Sequence, residues 1–319
     1  MDEKTTDILV IGAGMAGLTC ASKLAEAGLS VCVLDKGRGP GGRMAARRAD
    51  IAGETVSFDH GAQYFTARDP AFQERVEEWN RLGVVAPWPA AGADAWVGTP
   101  GMNGPIRAMA LDLDVSWGMR ALSIERIGTV WHVDAGDESF SAATLLIAVP
   151  AEQAAELLKD ATPDLAQIPT SVRSEPCWAV MAAFESALEI EPDSLRDADA
   201  AISWAARNSA KPERGGEECW VLHASPKRSR EIIDLPKEEA ATILLADFLA
   251  QTGTTPKEPI HLIAHRWLYA MPQALEGEPA RFDPERGLGI AGDYLHSPRV
   301  EGAFLSGRAL ADKTQSALT

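Results

Sequence analysis

Ile8-Leu9-Val10-Ile11 forms an unbroken apolar run after seven mostly polar residues, and Leu18, Ala21, Leu24 and Ala25 follow it at helical spacing. A short run without alternation predicts a strand buried on both faces, and the spacing after it predicts a helix with one apolar side. Gly28 stands where a helix C-terminus favours glycine. A second strand, 30–34, then runs into Asp35.

Farther along, Asp69-Pro70 is a helix-start signal, and Phe72, Val76, Trp79 and Leu82 recur on one face before Gly83. The stretch from there to Gly104, rich in Gly, Pro and Ala, predicts a returning loop. Short alternating segments at 115–117, 121–127 and 130–133 predict a β-meander. Residues 143–158 read as a buried strand, a stop at Pro150 and a helix. After Pro236, Ala240, Ile243, Leu244 and Phe248 predict a helix that ends at Gly253. The acidic stretch 189–199 predicts an exposed loop, and no internal repeat stands out.

The first of these patterns carries chemistry. Gly12, Gly14 and Gly17 lie between strand and helix in the Gly-x-Gly-x-x-Gly spacing, with Ala13 and Ala16 completing the turn. Gly12 would make the tight turn, Gly14 would let backbone approach a pyrophosphate at the helix N-terminus, and Gly17 would let helix and strand pack closely. Asp35 lies 23 residues past Gly12, the place of an acid that binds a ribose. A second string of the same spacing, "GLGIAG" at 287–292, has neither a preceding apolar strand nor a following amphipathic helix, and reads as strand and turn.

Length and charge narrow the ligand. A chain of 319 residues suggests about two domains. Its net charge of −16, from 46 acidic against 30 basic residues, disfavours nucleic acid and anionic membranes as partners. Yet residues 34–48 gather Lys36, Arg38, Arg43, Arg47 and Arg48 around four glycines. In Gly41-Gly42-Arg43, backbone and guanidinium can approach a phosphate. Cys20, Cys32, Cys177 and Cys219 form no Cys-x-x-Cys pair and read as reduced, buried residues. With no signal peptide and no apolar run of the ~20 residues a membrane helix needs, the expectation is a soluble, cytoplasmic protein. No metal-ligand pattern and no acid–base catalytic motif is present.

"GAGMAG", "LDKGRGPGGR" and "AGDYLHSPRVEGAFLSGRALA" resemble the FAD-binding segments of the amine oxidase and aromatic hydroxylase class of flavoproteins. Within that class, "FDHGAQYFTARD", "WAARNSAKPER", "CWVLHASPKRS" and "HRWLYAMP" resemble the renalase family, particularly its bacterial members, in order along essentially the whole chain. The resemblance implies a Rossmann-type FAD-binding domain with a smaller α+β substrate domain, as in p-hydroxybenzoate hydroxylase. On that reading the FAD domain takes residues 1–69, 100–157 and 284–319, and the substrate domain 70–99 and 158–283. Arg43 and Gly42 then approach the FAD phosphates with Lys36 nearby, Asp293 meets the ribityl-pyrophosphate region, and His60, Gly61, Ala62, Gln63 and Gly302-Ala303-Phe304 border the flavin. FAD is expected to be noncovalent, since no cysteine follows Cys219 to form the C-terminal link of monoamine oxidases.

The activity implied is oxidation of 1,2- or 1,6-dihydro isomers of NAD(P)H to NAD(P)+ with molecular oxygen reduced to hydrogen peroxide, a metabolite repair. Hydride transfer of this kind needs stacking and alignment more than a protein acid or base. Tyr64, Trp204, His223 and Trp267 are the expected substrate-pocket residues. Arg207, Lys211 and Arg214 read as a solvated basic loop in preference to a phosphate site at the pocket mouth. The rival readings are an amine oxidase, an aromatic hydroxylase and a nonenzymatic flavin-binding redox sensor.

Overall fold

The computed structural model describes residues 3–216 and 218–318. The apolar run lies at the end of β1 (Glu3–Ile11), which is flanked by parallel neighbours β2 (Val31–Asp35) and β11 (Ser139–Ile147). Alternate side chains serve opposite faces. Ile8, Val10 and Val33 pack under α1 (Met15–Glu26) and α8 (Val300–Leu318), while Leu9, Ile11 and Leu34 pack under α4 (Ala151–Leu158) and α5 (Pro163–Thr170). A strand covered on both sides cannot show alternation, which is why this one reads as a continuous run. Gly307 lets α8 lie directly on the first turn of α1, because a Cβ there would overlap the Ala16 carbonyl oxygen.

The sheet continues with β8 (Asp114–Trp117) parallel to β2. Residues 115–117 are therefore an edge strand of this sheet and not the first strand of a meander; the meander is β9 (Ser123–Ile127), β10 (Val130–Asp134) and β11. On the other side, β18 (Leu288–Ala291) pairs parallel with β11 and antiparallel with β17 (Ala280–Asp283), so "GLGIAG" is strand and turn as expected.

The helix expected after Asp69 is α2 (Pro70–Arg81), its N-terminus capped by the Asp69 carboxylate, which accepts from Ala71 N at 2.9 Å. Phe72, Val76 and Trp79 are buried, but Leu82 lies past the last turn and is 68% exposed, so it leaves the apolar face. The stretch expected to be loop contains β6 (Val85–Pro87) and β7 (Ala95–Gly98), joined with β5 (Phe65–Thr66) in a three-stranded sheet, and leads to α3 (Gly104–Ala110). Val85, Trp88 and Val97 supply the apolar contacts that order it against Phe72 and Val76.

A second, antiparallel sheet has the order β13 (Ser194–Arg196), β14 (Ile202–Arg207), β15 (Glu218–Ala224), β12 (Ser174–Phe184) and β16 (His261–Pro272). β13 and the buried Ile190 fall within the acidic stretch expected to be an exposed loop. One face is covered by α7 (Lys237–Thr252), through Ala240, Leu244 and Phe248 against Trp178, Val180 and Trp220, and Gly253 closes that helix at φ 66°. α6 (Pro226–Glu231) packs beside β12. Part of the other face rests on a hairpin, β3 (Ala46–Ile51) and β4 (Glu54–Asp59), whose Val56 and Phe58 meet Met181, Ala183 and Val221. The rest of that face carries the candidate pocket. Among the described residues, no helix is long and apolar enough to cross a membrane.

Candidate functional site

The turn between β1 and α1 is built for close approach. Gly12 has φ 110°, and a Cβ on it or on Gly17 would overlap a backbone carbonyl. Gly14 caps α1 without a side-chain hydrogen bond, and nothing lies within 4 Å of where its Cβ would be. That leaves open space before the first-turn amides, including those of Ala16 and Gly17, the environment a pyrophosphate needs. Asp35 ties this turn to the loop after β2, accepting from Ala13 N at 2.7 Å and Gly37 N at 2.6 Å. Each carboxylate oxygen keeps a lone pair for a ribose hydroxyl. Lys36 instead donates to Gln153 Oε1 at 3.0 Å.

Arg43 and Asp293 are joined by a bidentate ion pair, with N–O distances of 2.9 and 2.6 Å, across 250 residues of sequence. Burial opposes the Arg43 charge, but Asp293 and Glu152 outweigh it and raise its pKa. Gly42 is left-handed at φ 55°. Gly61 is needed beside it, since a Cβ would overlap the Arg43 carbonyl, which accepts from Ala62 N at 2.8 Å. Two buried polar atoms in this neighbourhood, Glu152 Oε2 and Tyr294 Oη, have no hydrogen-bond partner. Orphaned polar atoms beside a paired guanidinium, together with an open helix N-terminus, fit the hydroxyls and phosphates of FAD. Glu152 carried no motif signal, whereas Tyr294 lies beside Asp293 in the segment "AGDYLHSPRVEGAFLSGRALA" without being singled out there. At the start of α8, Gly302 packs on Ser297 and Ala303 N donates to Arg299 O, while the Phe304 ring turns into the core against Phe72, 4.9 Å between centroids.

The four expected pocket residues lie on or against the free face of the second sheet. Trp204, His223, Ala179 and His265 are successive partners across β14, β15, β12 and β16. Trp267, two positions past His265, stacks on His60 at 5.3 Å and donates Nε1–H to the His60 carbonyl at 2.8 Å. His60 also meets His265 edge-on at 4.9 Å. Tyr64 and Trp204 lie 5.2 Å apart, tilted by 33°. The Arg196 guanidinium covers both rings, at 5.7 and 5.1 Å, and donates to Tyr64 Oη. Gln63 reaches His223, 3.4 Å between Nε2 atoms. Arg196 was hidden in the acidic stretch; His265 was readable from alternation with Trp267.

Lys211 and Arg214 correct the reading of a solvated loop: both side chains are wholly inaccessible. The cause is Asp59, also fully buried, whose Oδ2 accepts from Arg214 Nε and Nη2 at 2.9 and 2.7 Å and from Lys211 Nζ at 3.3 Å, while Oδ1 accepts from Met102 N at 2.8 Å. Asn208 anchors the segment by bonding β4 at both Asp59 N and Ser57 O. Arg207 points elsewhere, to Asp193 and Glu218.

Burial, and then neighbouring His265 and Arg47, push the His60 pKa down to about 4. Burial and Lys211 likewise bring His223 to about 4, against a smaller opposing effect of the His60 carbonyl. His265 and His261 are lowered by burial and by Arg47. The imidazoles are thus neutral at pH 7, and the charged groups around them are chiefly cations. Asp59, the carboxylate within this network, is already matched by Arg214 and Lys211.

Comparison with known proteins places these features in a family context. The profile of the NAD(P)-binding Rossmann-like domain matches residues 10–79, and that of the flavin containing amine oxidoreductases matches residues 89–314. Hydroxyneurosporene desaturase of Rubrivivax gelatinosus is 45% identical over 65 residues, which span 20% of this chain and 12% of that protein. Wild-type putrescine oxidase bound to putrescine superposes with a TM-score of 0.71 at 15% identity, covering 99% of this chain and 100% of that one. Cyclohexylamine oxidase from Brevibacterium oxydans IH-35A gives a TM-score of 0.66 at 14% identity, covering 98% and 99%. At such identities the likeness is one of fold.

Proposed function

We propose that this chain, which belongs to the flavin containing amine oxidoreductase family and has FAD as its cofactor, is a renalase-like oxidase of dihydropyridine nucleotides. Its substrates on this reading are the 1,2- or 1,6-dihydro isomers of NAD(P)H, and its role is metabolite repair. When bound, FAD would supply the two-electron acceptor chemistry for a net reaction in which substrate, O2 and one proton give NAD(P)+ and H2O2.

The chain's own residues bind and align. Gly12, Gly14 and Gly17, Asp35, Gly42, Arg43 and Asp293 would hold FAD noncovalently, with Ala13, Ala16 and Lys36 alongside, and His60 to Gln63 with Gly302 and Ala303 would border its ring. Tyr64, Trp204 and Trp267 offer flat walls for a planar substrate, and His223 offers a hydrogen-bond donor. Aromatisation of a dihydropyridine requires no proton removal by the protein, which suits a pocket whose histidines are neutral and held by structural contacts.

The observation that carries this reading is the sign of the pocket. Arg196 covers the Tyr64–Trp204 pair, Lys211 and Arg214 lie behind Gln63, and Asp59 is fully matched. Cations at the walls suit an anionic nucleotide and oppose an ammonium substrate. The amine oxidase reading draws support from the shared fold and from the paired rings of Tyr64 and Trp204.

Anaerobic mixing of the yellow holoenzyme separately with 1,2- and 1,6-dihydro-NAD, 1,4-NADH, putrescine and cyclohexylamine separates the two. Rapid loss of the visible flavin band with one of the first two, yielding NAD+, is the expected result. Bleaching by an amine alone replaces the proposal with amine oxidation.

A further inference from the structure

We infer that Lys211, acting through Gln63, is a positioning residue that holds His223 as a single tautomer, protonated at Nδ1. The chain of reasoning starts from a group that can only donate. The Lys211 ammonium lies 3.1 Å from one end of the Gln63 amide, so that end is the oxygen, Oε1. The other end, Nε2, then faces the carbonyls of Asp59 and of Gly61, the latter at 3.0 Å, both of which can only accept. Contacts at both ends of the amide therefore agree on its orientation.

The same Nε2 lies 3.4 Å from Nε2 of His223. The amide nitrogen directs its two hydrogens toward the Asp59 and Gly61 carbonyls and has no lone pair to offer, so an N–H on His223 Nε2 would face a group that cannot accept it. The His223 Nε2 must present its lone pair, and the ring proton sits on Nδ1. The His60 carbonyl, which takes the Trp267 N–H, also acts as a hydrogen-bond acceptor toward this imidazole.

Lys211 shares Asp59 with Arg214, which supplies two N–H groups to the same carboxylate, and spends a further hydrogen on Gln63. It is a second buried cation on one carboxylate, packed 5.1 Å from the Trp88 ring centroid with no exposed side-chain surface, and its contact with Gln63 gives it a task beyond the ion pair. The consequence for the pocket rests on the proposed dihydronucleotide activity: His223 offers a carboxamide oxygen one fixed donor, in exchange for the His60 carbonyl.

The test reads the tautomer directly, in 15N-histidine-labelled holoenzyme without substrate. Long-range 1H–15N spectra, with His223 assigned by its loss in His223→Asn, should show a protonated Nδ1 and an unprotonated Nε2. Lys211→Met, which leaves the Asp59–Arg214 pair in place, should give a mixture of tautomers, and Lys211→Arg should restore the single form. Gln63→Leu, which removes the amide that links Lys211 to His223, should likewise give a mixture of tautomers. An Nε2-protonated His223 in the wild type, or an unchanged tautomer in Lys211→Met, would overturn the inference. The spectrum involves no substrate, so its outcome is independent of which reductant bleaches the flavin.

Discussion

The clearest consequence at the level of single residues concerns charges removed from water. Asp59 has a lowered pKa: desolvation pushes it up, but Lys211, Arg214 and the hydrogen bonds to its oxygens prevail. Breaking such a pair by deleting one partner strands the other, at a cost of about 3–5 kcal/mol. Arg214→Met is therefore expected to lower unfolding free energy in urea by that order, and Lys211→Met by clearly less, since Arg214 still holds Asp59 in two places. Equal losses would contradict the division of labour between the two cations. Acid should act first through the histidines. His60 and His223 have pKa values near 4 when folded, below the ordinary 6.5, so between those values the unfolded chain binds more protons than the folded one. Their contribution is complete above pH 6.5 and disappears as pH falls toward 4, with a slope approaching about two protons. His223→Asn should reduce that slope by about one proton. None of this could be read from "WAARNSAKPER", where Lys211 and Arg214 look like surface charges. The carboxylate that buries them lies more than 150 residues earlier, and charge pairing at such separation leaves no local pattern.

At the level of elements, what could be read from sequence follows from how local each signal is. β1, α1 and β2 are contiguous, and their periodicity, glycine turn and C-terminal Gly28 specify one another within 35 residues. α2 and α7 were equally legible from cap and spacing, with only Leu82 misplaced by a helix that stops one residue sooner. β6 and β7 have three and four residues, too few to establish alternation among prolines and glycines, and their order comes from Phe72 and Val76 on another element. β8 was drawn into the meander because a parallel partner reached through a long connection has no turn to announce it; its true neighbour, β2, ends 79 residues before it begins. The contact of α8 with α1 is of the same long-range kind, and it depends on Gly307. Gly307→Ala should push the two helices apart, with overpacking costing about 1–3 kcal/mol. Because α1's first turn faces the open space proposed for the nucleotide, FAD affinity should fall with stability. Flavin-fluorescence titration of the folded variant checks this, and an unchanged affinity would mean that α8 does not support the α1 terminus.

At the scale of the whole molecule, the candidate cofactor site draws on residues near both ends of the chain. Gly12 to Arg43 come from the first two strands and their connections, Asp293 and Gly302 from the last strand's exit and α8, and the Arg43–Asp293 pair spans the interval. The two segments can form this site only when the sheet that carries both is folded. FAD held there should therefore stabilise the protein by linkage, by about 2.7 kcal/mol when free FAD is a hundredfold above its Kd. Arg43→Met should lower affinity and also remove much of the difference in unfolding temperature between apo- and holoenzyme, because the guanidinium that pairs with Asp293 is the one proposed to meet the phosphates. The same architecture bears on how the flavin is kept. All four cysteines are buried, with the thiols of Cys20, Cys177 and Cys219 pushed up chiefly by burial, and no cysteine lies in the C-terminal segment that would border the ring. On the proposed noncovalent reading, retention comes from the folded cleft alone. Acid precipitation, which unfolds the chain without cleaving it, should leave a colourless pellet and all the FAD in the supernatant. Colour that stays with the pellet would require a covalent bond from another side chain, and would move the origin of cofactor retention from the closure of the two chain ends to a single residue.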